Sequence, residues 1–188
     1  MSDVSDSDPF EEDLFPDALA PGTSLGDYEI RRVLGQGGFG ITYEGFHRFL
    51  GRRVAIKEFF VKQACRRRED GTVILTSAAA RDGLSQEDYR RLLAKFEREA
   101  RKIAGKFDHP GIVQGEAYMV MNGVGYLVMR HVDGITVDQW LRRLGRPPSE
   151  RELAAVMGPA LEAVDYLHGL DEIHRALTPK NIMIRPDR

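Results

Sequence analysis

The chain has 188 residues, 42% of them hydrophobic and 30% charged, with a net charge of -2 and one cysteine. This composition excludes collagen-like, mucin-like and wholly disordered chains, and it fits a globular protein of one domain, or of one domain and part of another. No run approaches the ~20 apolar residues of a membrane span, the start Met1-Ser-Asp-Val-Ser-Asp6 has neither the basic start nor the apolar stretch of a signal peptide, and the expected location is the cytoplasm. Cys65 has no partner for an internal disulfide and, beside Arg66, Arg67 and Arg68, reads as a surface thiol.

The first 25 residues hold seven acids and no base, which leaves the remainder with a net charge of +5. With Pro9, Pro16 and Pro21, residues 1–25 are expected to form an acidic disordered tail. Phe10, Leu14, Phe15 and Leu19 are spaced as in a docking segment, although a solvated leader is the plainer reading. The positive charge of the body is too diffuse to predict a nucleic-acid partner.

Tyr28 to Leu34 alternates in part and reads as a strand, Gly35-Gln-Gly-Gly-Phe-Gly40 follows, and Ile41 to Phe46 reads as a second strand. A glycine-rich turn between strands lets backbone N–H groups approach phosphate oxygens with no Cβ in the way. The same spacing occurs in dinucleotide-binding folds, but there a helix follows the glycines. Arg53 to Glu58 alternates so that Ala55 and Lys57 share one face of a third strand, while Val54 and Ile56 share the other. A small residue and a lysine facing the glycine turn would make a nucleotide roof and a phosphate clamp.

On these motifs residues 25–188 resemble the protein kinases, specifically the bacterial serine/threonine kinases of the eukaryotic-like type. The resemblance implies an α+β, protein kinase-like fold. A small lobe of antiparallel sheet plus one helix would occupy 26–130, with an insertion at about 60–84, and the hinge and first helical part of a large lobe would occupy 131–188. It implies ATP as ligand, held by the loop glycines Gly35, Gly37 and Gly40, by Thr42 where the family usually has valine, by Ala55, and by Lys57.

Ser85 to Phe107 reads as a helix, with a capping start at Ser85-Gln-Glu-Asp88 and apolar residues Tyr89, Leu92, Leu93, Phe96, Ala100 and Ile103 at helical spacing. Glu97 and Glu99 flank that stripe on opposite sides, and periodicity does not choose between them. The resemblance favours Glu99 as the partner of Lys57, through Arg98-Glu-Ala100 and the later Asp108-His-Pro110. In the long stretch between Lys57 and Ser85, Asp70-Gly71 predicts a hairpin turn. Tyr126 to Arg130 reads as a buried strand leading to a hinge, which the resemblance places at Arg130, His131 and Val132 with Met129 as gatekeeper.

Ser149 to His168 is expected to be a capped helix with a kink at Gly158-Pro159 and an apolar face of Leu153, Val156, Met157, Leu161, Val164 and Leu167. His174-Arg-Ala-Leu-Thr-Pro-Lys-Asn181 aligns with the kinase catalytic loop H-R-D-L-x-x-x-N. Asn181, the implied magnesium (Mg2+) ligand, is kept, but the catalytic aspartate position is Ala176, and a methyl group accepts no proton. The sequence reaches Arg188 before the D-F-G that the resemblance would place further on, so the kinase domain is expected to be cut short. The implied function is an ATP-binding protein kinase domain that descends from enzymes phosphorylating protein hydroxyls, inactive in this form. The alternative is a natural pseudokinase or adaptor that binds a partner protein or partner kinase. Self-association through the 149–168 helix is a further expectation.

Overall fold

The computed structural model describes residues 15–77 and 83–186. The chain divides into two units, residues 1–105 with 115–130 and residues 106–114 with 131–188. The start of the acidic leader (1–14), with Phe10 and Leu14, and residues 78–82 of the insertion lie outside the described residues.

The first unit is built on a six-stranded antiparallel sheet. Its strands are β1 (Ser24–Leu25), β2 (Tyr28–Gly37), β3 (Gly40–His47), β4 (Arg52–Phe59), β7 (Gly115–Met121) and β8 (Val124–Arg130), in the order β1-β2-β3-β4-β8-β7. Between β4 and β7 the chain forms a separate hairpin, β5 (Cys65–Arg67) with β6 (Val73–Leu75), and then helix α1 (Gln86–Gly105). The hairpin turns where the sequence predicts, at Gly71, whose φ of 84° lies in the left-handed region that glycine tolerates. Ser85 caps α1 through its Oγ, which accepts from the Asp88 N–H at 3.1 Å.

Pairing register sorts the side chains of the sheet. Ile41 and Tyr43 on β3 oppose Glu58 and Ile56 on β4, which in turn oppose Tyr126 and Val128 on β8, so these residues share one face. All of them are fully buried, in one cluster with Leu19 and Leu25 of segment 15–25, Phe60 and Val61 just after β4, and Cys65 and Val73 of the β5–β6 hairpin. The opposite face carries Thr42, Ala55, Lys57, Phe59, Leu127 and Met129. Phe59 packs there against α1, with ring centroids 5.5 Å from Tyr89 and 5.6 Å from Phe96.

Two segments depart from what the sequence predicts. Residues 15–25 are not a disordered tail: β1 pairs with β2, the Leu19 N–H donates to the Tyr43 hydroxyl at 3.2 Å, and Asp17 Oδ1 accepts from the Arg67 N–H at 3.0 Å. Leu19 and Leu25 bury apolar surface that holds the segment, the Asp17 carboxylate lies 3.7 Å from the Arg66 guanidinium, and the Asp17 carbonyl accepts from Arg67 Nε at 2.8 Å. Cys65 is not a surface thiol either. It is buried at the start of β5, and burial pushes its thiol up from the ordinary range, against activation by the neighbouring arginines.

The second unit contains α2 (Val137–Leu144), α3 (Glu150–His168) and a two-stranded ribbon of β9 (Ile135–Thr136) with β10 (Met183–Ile184). Thr136 caps α2 through a capping box with Gln139, and Gly145 ends it in the left-handed conformation. Helix α3 runs unbroken through Pro159. Its apolar stripe divides: Ala163 and Leu167 are buried, Val156, Met157 and Val164 are half-buried, and Leu153 and Leu161 remain 47% and 58% exposed. Among the described residues no helix is long and apolar enough to cross a membrane.

Helix α3 starts in the predicted box, with Glu152 accepting from the Ser149 N–H at 2.8 Å and from Arg146 at 2.8 and 3.0 Å. Arg146 first, and then the Ser149 N–H and hydroxyl, hold the Glu152 carboxyl down from the usual 4.5 to about 2. A carboxyl depressed on folding stabilises the structure above its unfolded value and ceases to as pH falls through its folded value. Amide protection at Glu150 to Leu153 is therefore expected to fall between pH of about 4.5 and about 2. Hydrogen exchange in acid measures this, and protection that stays flat across that window contradicts the role given to the cap.

Candidate functional site

The candidate nucleotide-binding residues of the first unit gather on one face of β3, β4 and β8. Lys57 lies opposite Thr42 on one side and Leu127 on the other, while Ala55 lies opposite Glu44 and Met129. Thr42, Ala55, Lys57 and Met129 are thus brought together, as strand alternation predicts. Met129 is half-buried and Arg130 exposed at the end of β8; Val132 follows in the second unit.

The glycines of the turn do different work. At Gly40 an added Cβ would sit 2.7 Å from the Glu58 carbonyl oxygen and 3.5 Å from Lys57 Cε, so the backbone of β4 and the lysine stem both crowd this position. At Gly35 and Gly38 nothing lies within 4 Å of an added Cβ, and at Gly37 only the Gly40 oxygen approaches, at 4.0 Å. Packing within the protein therefore demands glycine at position 40, whereas at 35 and 37 it leaves bare backbone beside open space. Such a cradle suits a phosphate chain approaching the N–H groups, and Lys57, exposed on the adjoining face, supplies a cation. These residues fit ATP.

Residues 60–62 continue the pairing beyond β4, with the Phe60 N–H donating to the Phe39 oxygen at 3.3 Å and the Lys62 N–H to the Gly38 oxygen at 3.1 Å. The start of the insertion thereby holds the tip of the glycine turn.

The partner expected for Lys57 does not meet it. Glu99 is exposed on α1 and, among the described residues, forms no ion pair with Lys57, while Glu97 accepts from Arg101 on its own helix at 2.7 Å. An exposed lysine–glutamate pair is worth only ~0–1 kcal/mol in water, too little to draw α1 and β4 into one geometry.

The residue that sequence reasoning missed is Glu58. It is fully buried on the face opposite Lys57, and both carboxylate oxygens are saturated. Oε1 accepts from the Tyr126 hydroxyl at 2.7 Å and from Arg67 at 2.7 Å; Oε2 accepts from the Tyr43 hydroxyl at 2.6 Å and from Arg67 at 2.6 Å. Burial, then the carboxylate beside them, pushes both tyrosine hydroxyls far above their ordinary range. Burial works against the Arg67 charge, but bonding to Glu58 outweighs it and raises Arg67. A signal was present in the sequence, since Glu58 follows Val54 and Ile56 on the apolar alternation of β4 and the arginine-rich run offers a counter-charge.

In the second unit the 174–181 loop is closed on itself. The Asn181 Nδ2 donates to the Ala176 oxygen at 2.8 Å, and the Asn181 N–H donates to the Thr178 oxygen at 2.9 Å. Arg175 takes a φ of 62°, in the left-handed region that few side chains adopt. The loop is tied to the start of α2 by Val137 N–H to Ile182 oxygen and Asp138 N–H to Pro179 oxygen, at 2.9 and 3.0 Å. Position 176 is thus held in a bonded loop, its exposed side chain a methyl group. Asn181 bonds the loop through Nδ2, which leaves its Oδ1 as one neutral oxygen that could meet a magnesium ion carried by nucleotide phosphates; among the described residues no group of three His, Cys, Asp or Glu side chains is placed to hold a cation by itself.

A family model described as "Protein kinase domain" matches residues 28–188. Among curated proteins, the chain is 30% identical over 166 residues to "Serine/threonine-protein kinase PknH" of Mycobacterium bovis, covering 88% of this chain and 24% of that protein. It is 33% identical over 163 residues to "Probable serine/threonine-protein kinase SCO3848" of Streptomyces coelicolor, covering 85% and 20%. Among solved structures it is similar to "PpkA-294 apo form", with a TM-score of 0.81 and 25% identity, covering 91% of this chain and 59% of that one. The Mycobacterium tuberculosis PknI kinase domain matches with a TM-score of 0.64 and 25% identity over the same shares. The chain therefore spans about a quarter or less of the length of these curated relatives.

The glycines allow a test that separates folding from binding. Gly40→Ala is expected to lower the melting temperature, since the new methyl meets backbone that cannot swing aside. Gly35→Ala and Gly37→Ala are expected to leave melting nearly unchanged and to weaken ATP binding. Thermal unfolding and calorimetric titration with ATP measure both; equal melting losses at all three positions would contradict the distinction.

Proposed function

The chain belongs to the protein kinase domain family, and we propose that it binds ATP through the first unit without carrying out efficient phosphoryl transfer. The observation that carries the reading is the shared face of Thr42, Ala55, Lys57 and Met129 beside a glycine turn whose positions 35 and 37 stand open. Adenine would lie against Ala55, Thr42 and Met129, with the backbone at Met129 and Arg130 offering a donor and an acceptor. The phosphates would meet the turn N–H groups and the Lys57 ammonium. When bound, ATP supplies the transferable phosphoryl group. What this chain lacks is the group that takes the proton from an attacking hydroxyl, because Ala176 stands at that position. Loss of a general base alone costs ~100- to 10,000-fold in rate. Magnesium enters the reading as the ion that accompanies ATP, with the Asn181 side-chain oxygen as a candidate ligand.

A second reading, favoured by the same Ala176, is a binding role: a serine/threonine kinase-like domain retained as an adaptor for a partner protein or kinase. The exposed Leu153 and Leu161 on α3 also support self-association, which light scattering on the purified chain measures.

Millimolar ATP is expected to raise the melting temperature of the wild-type chain, and Lys57→Ala to reduce that shift. No saturable ATP signal in a folded sample would overturn the nucleotide reading. Ala176→Asp is expected to leave melting within experimental error, because the position is exposed. Radiolabel transfer from ATP to a generic protein substrate is expected to be undetectable with the wild-type chain; robust labelling that depends on Lys57 would overturn the inactive reading.

A further inference from the structure

We propose that Glu58 is a positioning residue for the phosphate-binding elements: its buried cluster fixes Lys57 and the glycine turn from behind the sheet. The inference rests on the nucleotide reading above and names the residues that hold that site in place.

Three observations converge on it. The first is the origin of the partners, since Tyr43 comes from β3, Tyr126 from β8 and Arg67 from the β5 strand of the insertion, and all bond one carboxylate that has no access to water. Four charge-assisted bonds of 2.6 to 2.7 Å fix the end of β4 against both neighbouring strands and the hairpin. The second is adjacency. Glu58 follows Lys57, and its carbonyl oxygen is the atom that a Cβ on Gly40 would strike at 2.7 Å. A shift of the Glu58 peptide must therefore move the lysine stem, the end of the glycine turn, or both.

The third is continuity with the insertion. Phe60 and Lys62 hold the turn through Phe39 and Gly38, and the Arg67 guanidinium lies 5.9 Å from the Phe60 ring centroid. Arg67 also donates from Nε to the Asp17 carbonyl at 2.8 Å, so the leader clasps the same cation. Leader, insertion and glycine turn are joined through one buried carboxylate. A merely structural charge cluster would be replaceable by packing. This one sits one residue from the phosphate lysine and in contact with the loop that faces the phosphates.

The test compares ATP with adenosine, which lacks the phosphates that Lys57 and the turn would meet. In Tyr126→Phe, and in the paired variant Glu58→Gln with Arg67→Met, ATP affinity is expected to fall roughly three- to tenfold relative to adenosine affinity. Hydrogen exchange without nucleotide is expected to show lost protection at the Phe60 and Lys62 amides. An unchanged ratio of ATP to adenosine affinity, with those amides as protected as in the wild type, overturns the proposal even if melting falls. If the paired variant does not fold, Tyr126→Phe decides, because it removes one hydroxyl and keeps the ion pair. If wild-type protein binds neither compound, the nucleotide reading fails separately. The two amides then decide whether Glu58 holds the turn, lost protection supporting it and retained protection overturning it.

Discussion

A carboxylate removed from water has to be met by donors and by opposite charge, and in this chain Glu58 imposes that requirement in the middle of the sheet. Breaking such a pair leaves a buried charge and typically costs ~3–5 kcal/mol. The requirement recruits Tyr43 and Tyr126 from the flanking strands, draws Arg67 in from the insertion until its side chain is only 9% exposed, and through Arg67 secures Asp17 of the leader. Segments that look peripheral in sequence are in this way made part of the first unit. The face thus sealed leaves the opposite face, with Lys57, available for a ligand.

Much of the fold can be read from alternation and caps. Ala55 and Lys57 against Val54 and Ile56 give the faces of β4, Asp70-Gly71 gives the hairpin, and Ser149 with Glu152 gives the start of α3, because each depends on neighbours within a few residues. What could not be read depends on contacts between distant segments. Leu19 and Asp17 look like parts of a polar leader until Tyr43 and Arg67 are brought beside them. Cys65 looks exposed among arginines until the hairpin folds over the sheet. Glu58 looks like a surface charge next to a lysine, although its parity on β4 already places it among apolar residues.

The candidate site divides in the same way. Gly40 and Lys57 are legible as a pair, since both follow from local strand geometry, whereas the meeting of Lys57 with Glu99 depends on where α1 settles on the sheet. That helix packs through Tyr89 and Phe96 against Phe59, and these contacts leave Glu99 on its exposed side. In the second unit the Asn181 side chain closes the loop onto the Ala176 carbonyl, a bond that uses backbone and is indifferent to the residue at 176. The form of the 174–181 loop can therefore persist whichever residue stands at position 176. On the reading proposed above, binding and chemistry rest on different residues, those for binding being retained and the base for chemistry replaced by Ala176.

The most direct measurement is an NMR titration of the isotopically labelled chain with magnesium and ATP, with phosphorus spectra recorded on the same sample. Saturable shifts are expected to concentrate at the amides of Gly35 to Gly40, Ala55, Lys57, Met129 and Arg130, with the ATP signals persisting while a protein substrate is present. Shifts that are absent from those amides, or steady conversion of ATP to ADP with phosphate appearing on the substrate, would contradict it.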